Sequence, residues 1–257
     1  MLSHRIIPCL LLRGTGFYKT VRFRDPIYLG DPVNILKIFN DKEVDEIAIL
    51  DIGATPDSRG PDFDRLRDMA SECFMPLAYG GGIRSVAQIK ELFRIGFEKA
   101  IINSAAYDDP RLISEATEVF GSQSIVAAID AKKTLFGNYE TVAEGARRKT
   151  KRHPAEWAQE MVRRGAGEIL INSVDRDGTM QGYDHELIRL VSSAVNVPVI
   201  ASGGAAGVSD FATAINQSGA SACAAGALFV FQGRYRAVLI NVPSPEEIRA
   251  ALARQNT

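Results

Sequence analysis

The chain has 257 residues, 46% of them hydrophobic and 24% charged, a length that suits one α/β barrel and a composition without disordered or fibrous character. Its 30 basic and 31 acidic side chains leave a formal net charge of -1, which excludes the basic footprint of a nucleic-acid or anionic-membrane binder. Cys9, Cys73 and Cys223 lie in apolar or small-residue settings without metal-ligand spacing, so free thiols in a reducing compartment are expected, with no metal and no cofactor.

From the N-terminus the chain enters Arg5-Ile6-Ile7-Pro8 without a signal-type apolar stretch, and nowhere does it run apolar for the length of a membrane span. A cytoplasmic location is expected. The first predicted strand covers 6–11, and Asp31-Pro32 then opens a helix over 32–43. Strand 47–50, helix 63–73, strand 76–79, helix 86–95 and strand 100–102 follow. Asp109-Pro110 opens a helix over 110–120, ahead of strand 125–129, and His153-Pro154 opens one over 154–164, ahead of strand 169–171. Helix 185–195 leads to the last two strands, 197–201 and 222–225, and Ser244 with Glu247 makes a capping box near the end. The strands are nearly continuous in hydrophobicity, as strands covered on both faces should be. Eight such units with right-handed crossovers close into a (β/α)8 TIM barrel, expected to form one domain over 1–257.

An internal repeat at roughly 120 residues supports closure. Glu46-Ile47-Ala48-Ile49-Leu50-Asp51 matches Glu168-Ile169-Leu170-Ile171-Asn172-Ser173, Leu77 to Gly82 matches Val199 to Gly204, and 6–12 matches 125–131 more weakly. A doubled half barrel explains all three.

Barrel chemistry sits where strands end. Gly80-Gly81-Gly82 and Asn103-Ser104 offer backbone donors, an amide and a hydroxyl suited to a phosphate, and Ser202-Gly203-Gly204 with Ala225-Gly226-Ala227 repeats the arrangement in the second half. The same glycines would also serve tight turns. Asp130 follows four apolar residues and reads as a general acid or base, or as a structural carboxylate paired with Lys132 or Lys133. Asp51 ends its strand in the same manner. Asp175-Arg176-Asp177-Gly178-Thr179 reads equally as a site loop or as a turn with an internal ion pair.

Arg5 to Leu10, Gly80 to Arg84, Asn103-Ser104-Ala105, Phe120 to Gln123, Ala128 to Lys132 and Asp175 to Thr179 resemble the cyclase (HisF-type) subunit family of imidazole glycerol phosphate synthase over nearly the whole chain. The resemblance implies a lyase-cyclase that receives ammonia through the barrel axis from a glutaminase subunit and delivers it to a phosphorylated substrate. It implies catalysis by Asp130 and by Lys19 of a mobile first loop. Gly82, Asn103 and Ser104 match the first phosphate site, with Asp51, Asp177, Gly178, Gly203, Gly204 and Gly226 among the remaining substrate positions. At three positions the chain departs from the family: Leu11 replaces a second catalytic aspartate, Asn172 a usual threonine, and Ala227 a serine at the second phosphate.

At the strand starts, Arg5, Glu46, Lys99 and Glu168 match the family's charged ammonia gate, with Glu98 beside them to face a partner's lysine. Strand starts are also ordinary places for solvated charges. Leu10-Leu11-Leu12, Tyr18 to Phe23 and Tyr28 to Pro32 are most similar to a glycosyl amidation-associated branch of surface-polysaccharide pathways. That likeness implies a sugar substrate and a separate amidotransferase that turns an acetamido group into an acetamidino group. Two alternatives remain: a histidine-pathway cyclase that tolerates Leu11, and a non-catalytic ammonia conduit or scaffold.

Overall fold

The computed structural model describes residues 4–254, so the outermost residues of the expected 1–257 domain lie outside it. Eight parallel strands close on themselves: β1 (Arg5–Arg13), β4 (Ile47–Asp51), β5 (Leu77–Gly80), β6 (Lys99–Ile102), β7 (Ile125–Lys133), β10 (Glu168–Ser173), β11 (Val199–Ser202) and β12 (Ala222–Ala225). Each pairs with the next in this order, β12 returns to β1, and β7 pairs directly with β10. The fold is the expected (β/α)8 barrel.

Helices α1 (Pro32–Asp41), α2 (Phe63–Ser71), α3 (Val86–Arg94), α5 (Arg111–Phe120), α6 (Pro154–Arg163), α7 (His185–Ser192), α8 (Val208–Ser218) and α10 (Pro245–Arg254) cover the outside. Their start signals act largely as the sequence implies. Asp31 caps α1 by accepting from Asn34 N–H with Pro32 in the first turn, and Ser244 with Glu247 forms a reciprocal box at α10. Pro110 is a helix cap rather than a first helical residue, because the Asp109 carboxylate already accepts the Arg111 N–H. Helix α8, not among the expected helices, packs the apolar stripe of Val208, Phe211, Ala212 and Ile215 inward; Asp210 secures its start by accepting from Ala206 and Gly207 N–H at 2.7 and 3.1 Å.

Three further insertions decorate the strand ends. β2 (Gly16–Val21) and β3 (Arg24–Gly30) form a hairpin on β1, β8 (Tyr139–Ala143) and β9 (Arg148–Lys149) extend β7, and β13 (Phe231–Gln232) pairs with β14 (Ala237–Val238) beyond β12. Two short helices, α4 (Ser104–Asp108) and α9 (Ala227–Val230), follow β6 and β12.

Strand alternation divides the apolar residues into two cores. Ile6, Leu10, Ile47, Ile49, Ile129, Ile169 and Val199 point outward into the large core beneath the helices. Ile7, Cys9, Ala48, Ala78, Ile101, Val126, Ala128, Leu170, Ile200, Ala222 and Ala224 point at the axis. Five of these eleven are alanines, so the axis is lined more thinly than in a barrel filled by Val, Ile and Leu.

The closing seam, where the last unit meets the first, rests on aromatic packing. Phe229 on α9 meets Phe39 of α1 edge-on at 6.3 Å and stacks on Phe211 of α8 at 6.4 Å, all three being fully buried. Phe229→Ala removes the middle ring of this chain and should cost about 3–5 kcal/mol. Chemical denaturation should register the loss as a lower midpoint at unchanged slope.

Candidate active site

A cavity of 720 Å³ opens at the C-terminal ends of the strands, where barrel chemistry belongs. Asp130 stands on its floor. Its position follows from the alternation that sends Val126 and Ala128 inward along β7, which makes Asp130 the next inward residue. Oδ2 accepts from Asn103 Nδ2 at 2.8 Å, and Oδ1 accepts from Asn172 Nδ2 at 3.0 Å. Lys133 instead pairs with Glu186 at 2.7 Å, so Asp130 is held by amides and not by the neighbouring lysines. Burial pushes its carboxyl up to about 6, against the two asparagine hydrogen bonds and with help from the Asp177 charge. A carboxyl so tuned can exchange a proton near neutrality.

Asp51 also borders the cavity, from a strand position of the opposite parity. It ends β4 in register with the outward residues Ile47 and Ile49, and its oxygens are taken up by Arg59 Nη1 and Nη2 at 2.8 and 2.9 Å and by the Gly53 and Ala54 N–H groups at 3.0 Å each. This carboxylate organises the loop after β4. Arg59 has no signal in the sequence that would reveal the pairing.

Lys19 reaches the cavity from the β2–β3 hairpin and is almost fully buried. Its Nζ meets both Asp177 oxygens at 2.9 and 3.1 Å, and Thr20 Oγ1 donates to the same carboxylate at 3.3 Å. Arg22 adds a backbone bond to Asp177 O and a side-chain bond to Asp175 O. The 175–179 loop is therefore the platform on which the hairpin docks; Asp175 accepts from Lys133 N–H and Arg176 donates to Gln181 O, and neither joins an internal ion pair among the described residues. Gly226 leaves room for this side chain: a Cβ at that position would lie 3.0 Å from Lys19 Cε and 3.1 Å from Cys9 O, so either would have to give by a few tenths of an ångström. Cys9 itself stays a thiol, since burial pushes it up to about 12.

Gly82, Asn103 and Ser104 line one half of the cavity with Arg84 and Arg147 on its rim, and Ser202, Gly203, Gly204, Gly226 and Ala227 line the other with Gly178. The Ser104 hydroxyl accepts from Glu144 N–H at 3.0 Å, which draws the loop between β8 and β9 over the first half. The sequence reading missed that loop, although the alternation in Tyr139-Glu140-Thr141-Val142 marks a strand. Leu11 lines the cavity beside Leu50, its register partner. An apolar wall thus occupies the place where a second acid would stand.

At the opposite end of the axis, Arg5, Glu46, Lys99 and Glu168 are the inward residues that begin their strands, and they close into a ring. Arg5 meets Glu46 at 2.6 Å and Glu168 at 2.5 Å; Lys99 meets the same two carboxylates at 2.9 and 3.0 Å. Burial lowers the proton affinity of Arg5, but Glu168 and Glu46 outweigh it and raise the guanidinium above its ordinary value. Glu98 lies outside this ring and is exposed.

Fold and site together define an α/β-barrel protein with a raised, amide-held carboxyl at one end of its axis and a ring of paired charges at the other. The chain belongs to the histidine biosynthesis protein family, whose model matches residues 5–236. It is 46% identical over 248 residues to a Pseudomonas aeruginosa protein named "Putative imidazole glycerol phosphate synthase subunit hisF2", covering 96% of this chain and 99% of that one. It is 43% identical over 253 residues to the "Putative imidazole glycerol phosphate synthase subunit hisF3" of Vibrio vulnificus, with 98% and 97% covered. The "Imidazole glycerol phosphate synthase subunit HisF" of Alkaliphilus metalliredigens is 44% identical over 229 residues, with 89% and 91% covered.

Asp130 also shapes stability. Its carboxyl is raised from 3.8 to about 6, so the folded protein holds this proton more tightly than the unfolded chain does. Its contribution is full below the unfolded value and is lost as pH rises through the folded one. Asp130→Asn should leave stability near parental at acid pH and gain about 2–3 kcal/mol relative to the parent above neutrality. Denaturation midpoints across pH check this, and parallel curves for parent and variant would contradict it.

Proposed function

We propose that this chain is the ammonia-accepting barrel subunit of a glutaminase-coupled pair, and that it serves a sugar acceptor of surface-polysaccharide synthesis rather than the histidine-pathway cyclisation. The observation that carries this reading is the contrast between the two ends of the axis. The ring of Arg5, Glu46, Lys99 and Glu168 is complete, whereas the wall that should hold a second acid is Leu11. In this reading the glutaminase docks on the N-terminal face around the ring and Glu98. Ammonia passes the polar ring, travels the alanine-rich axis and emerges below Asp130.

Chemically, two cations shared between two carboxylates satisfy charges that would each be costly to bury alone. A ring of this kind gives a small polar molecule hydrogen-bonding partners at a mouth that apolar packing would seal. At the far end Asp130 moves a proton on the acceptor, and Lys19, held by Asp177 when the hairpin is down, supplies a cation when that contact opens. Arg84, Ser104 and the backbone around Gly82 suit a phosphate or another anionic group. The second half has lost a hydroxyl at Ala227, a bond worth about 1 kcal/mol and more to an anion, which suits an acceptor with one strongly anionic end. In this reading a separate amidotransferase cooperates with the pair in converting an acetamido to an acetamidino group, with the acceptor held at this cavity.

With excess ammonia, the purified protein should turn over the histidine-pathway bisphosphate about 100- to 10,000-fold more slowly than a family member carrying both acids. Leu11→Asp should recover part of that rate. Robust cyclisation by the parent chain would instead make it a histidine-pathway cyclase.

Lys99→Ala tests the gate. Arg5 touches both carboxylates, so each keeps one cation and the fold should survive. In the reconstituted system, product formation from added ammonia should be unchanged while glutamine-dependent formation falls, with glutamine consumed in excess of product. Parallel loss of both, or failure to detect a glutaminase complex by co-purification, would return the ring to a structural plug.

A further inference from the structure

Asp130 is gripped from both neighbouring strands. The β7–β10 register sets Asn172 directly beside it, and Asn103 arrives from the end of β6, so that each carboxylate oxygen accepts one amide N–H, at 3.0 and 2.8 Å. Both asparagines leave their own Oδ1 buried with no hydrogen-bond partner among the described residues. Folds avoid leaving such atoms unpaired. Rotating either amide would aim its oxygen at the Asp130 carboxylate and exchange an attraction for a repulsion, so the carboxylate dictates both orientations. Behind Asn172 lies Gly203, at φ +87, where a Cβ would stand 2.6 Å from Asn172 Oδ1. The loop after β11 thus leaves room for an amide that is turned toward Asp130 at its own oxygen's expense.

We propose that Asn172 is a positioning residue which, with Asn103, clamps Asp130 and sets its proton affinity, and that Gly203 is the berth that makes the clamp possible. The functional importance of the clamp rests on the reading of Asp130 as the acid–base group; its existence does not. The titratable groups around Asp130 are Asp177 after β10, Cys9 on β1 and Tyr107 on α4, with Lys19 tied to Asp177. Burial raises both the Cys9 thiol and the Tyr107 phenol, so these two stay neutral around neutral pH. Asp177 raises Asp130 even while it is paired with Lys19, and the two amides are the influences that lower it. Each donor favours the ionised form, and removing one should raise the carboxyl.

The test is a carbon-13 NMR titration of protein labelled at aspartate carboxyls, with the Asp130 resonance identified by its absence in Asp130→Asn. Asn172→Ala should move the Asp130 midpoint upward by about one pH unit, Asn103→Ala should do the same, and Asn172→Ser, which keeps a donor, should move it less. Gly203→Ala, which would crowd Ser173 O at 2.7 Å as well as Asn172 Oδ1 at 2.6 Å, should shift it upward with both asparagines still in place. If Asn172→Ala fails to fold, Asn172→Ser and Gly203→Ala carry the measurement. An Asp130 midpoint unchanged in folded Asn172 variants would overturn the proposal. A raised midpoint with undiminished amidation in the reconstituted system would support the clamp and count against the acid–base reading, which separates the two failures.

Discussion

Closing eight parallel strands into a barrel forces every second side chain onto a shared axis, and the placement of charge in this molecule depends on that alternation. Along β7 it carries Val126 and Ala128 inward and then delivers Asp130 to the cavity floor. Along β4 it carries Ile47 and Ile49 outward and leaves Asp51 facing its own loop, where Arg59 neutralises it. Two aspartates that end strands in similar apolar runs therefore have different chemistry because they differ by one step in parity. The same rule places Arg5, Glu46, Lys99 and Glu168 in one layer and Leu11 in another.

The two ends of the axis solve opposite electrostatic problems. At the strand starts, two cations and two carboxylates are held within ion-pair distance, so charge is cancelled locally and no proton needs to move. At the strand ends, Asp130 receives only amide donors; these favour the carboxylate but do not neutralise it, and the carboxyl remains raised by burial. Lys19, a buried cation that lines the same cavity, is committed to Asp177. Had Lys19 turned to Asp130 instead, the attraction would have pulled that carboxyl down and removed its ability to hold a proton near neutrality. The Lys19–Asp177 contact thus docks the hairpin and leaves Asp130 free.

Much of this was legible in the residues. The barrel followed from strand periodicity and from the match between 46–51 and 168–173, because both report on a chain that buries each strand on two sides. The four charged residues of the ring were marked by their place just ahead of apolar runs and by the family resemblance, and the structure brings them into contact. What stayed hidden depends on contacts between distant segments. Nothing around Arg59 announces that it answers Asp51, and the docking of Lys19 and Arg22 onto Asp177 joins residues far apart in sequence. Helix α8 was not hidden in this way: Val208, Phe211, Ala212 and Ile215 recur at helical spacing among small and polar residues, and the stripe was overlooked. Parity could have separated Asp51 from Asp130 at the outset, since it needs only the spacing to each strand's inward alanines.

Leu11 brings these strands of argument together. It occupies an inward position on β1 at the level of the cavity and packs in register beside Leu50. A carboxylate there would stand on the same floor as Asp130 and would raise it further, since two acids sharing one apolar site cannot both ionise easily. With leucine present, the proton affinity of Asp130 is decided by burial, two asparagines and Asp177 alone. A site with one acid–base group can remove or return a proton at one face of a bound molecule, but it has no second group to act on the opposite face. The ring at the far end of the axis is separated from Leu11 by the packed axial residues Ile7, Ala48, Ile101 and Leu170.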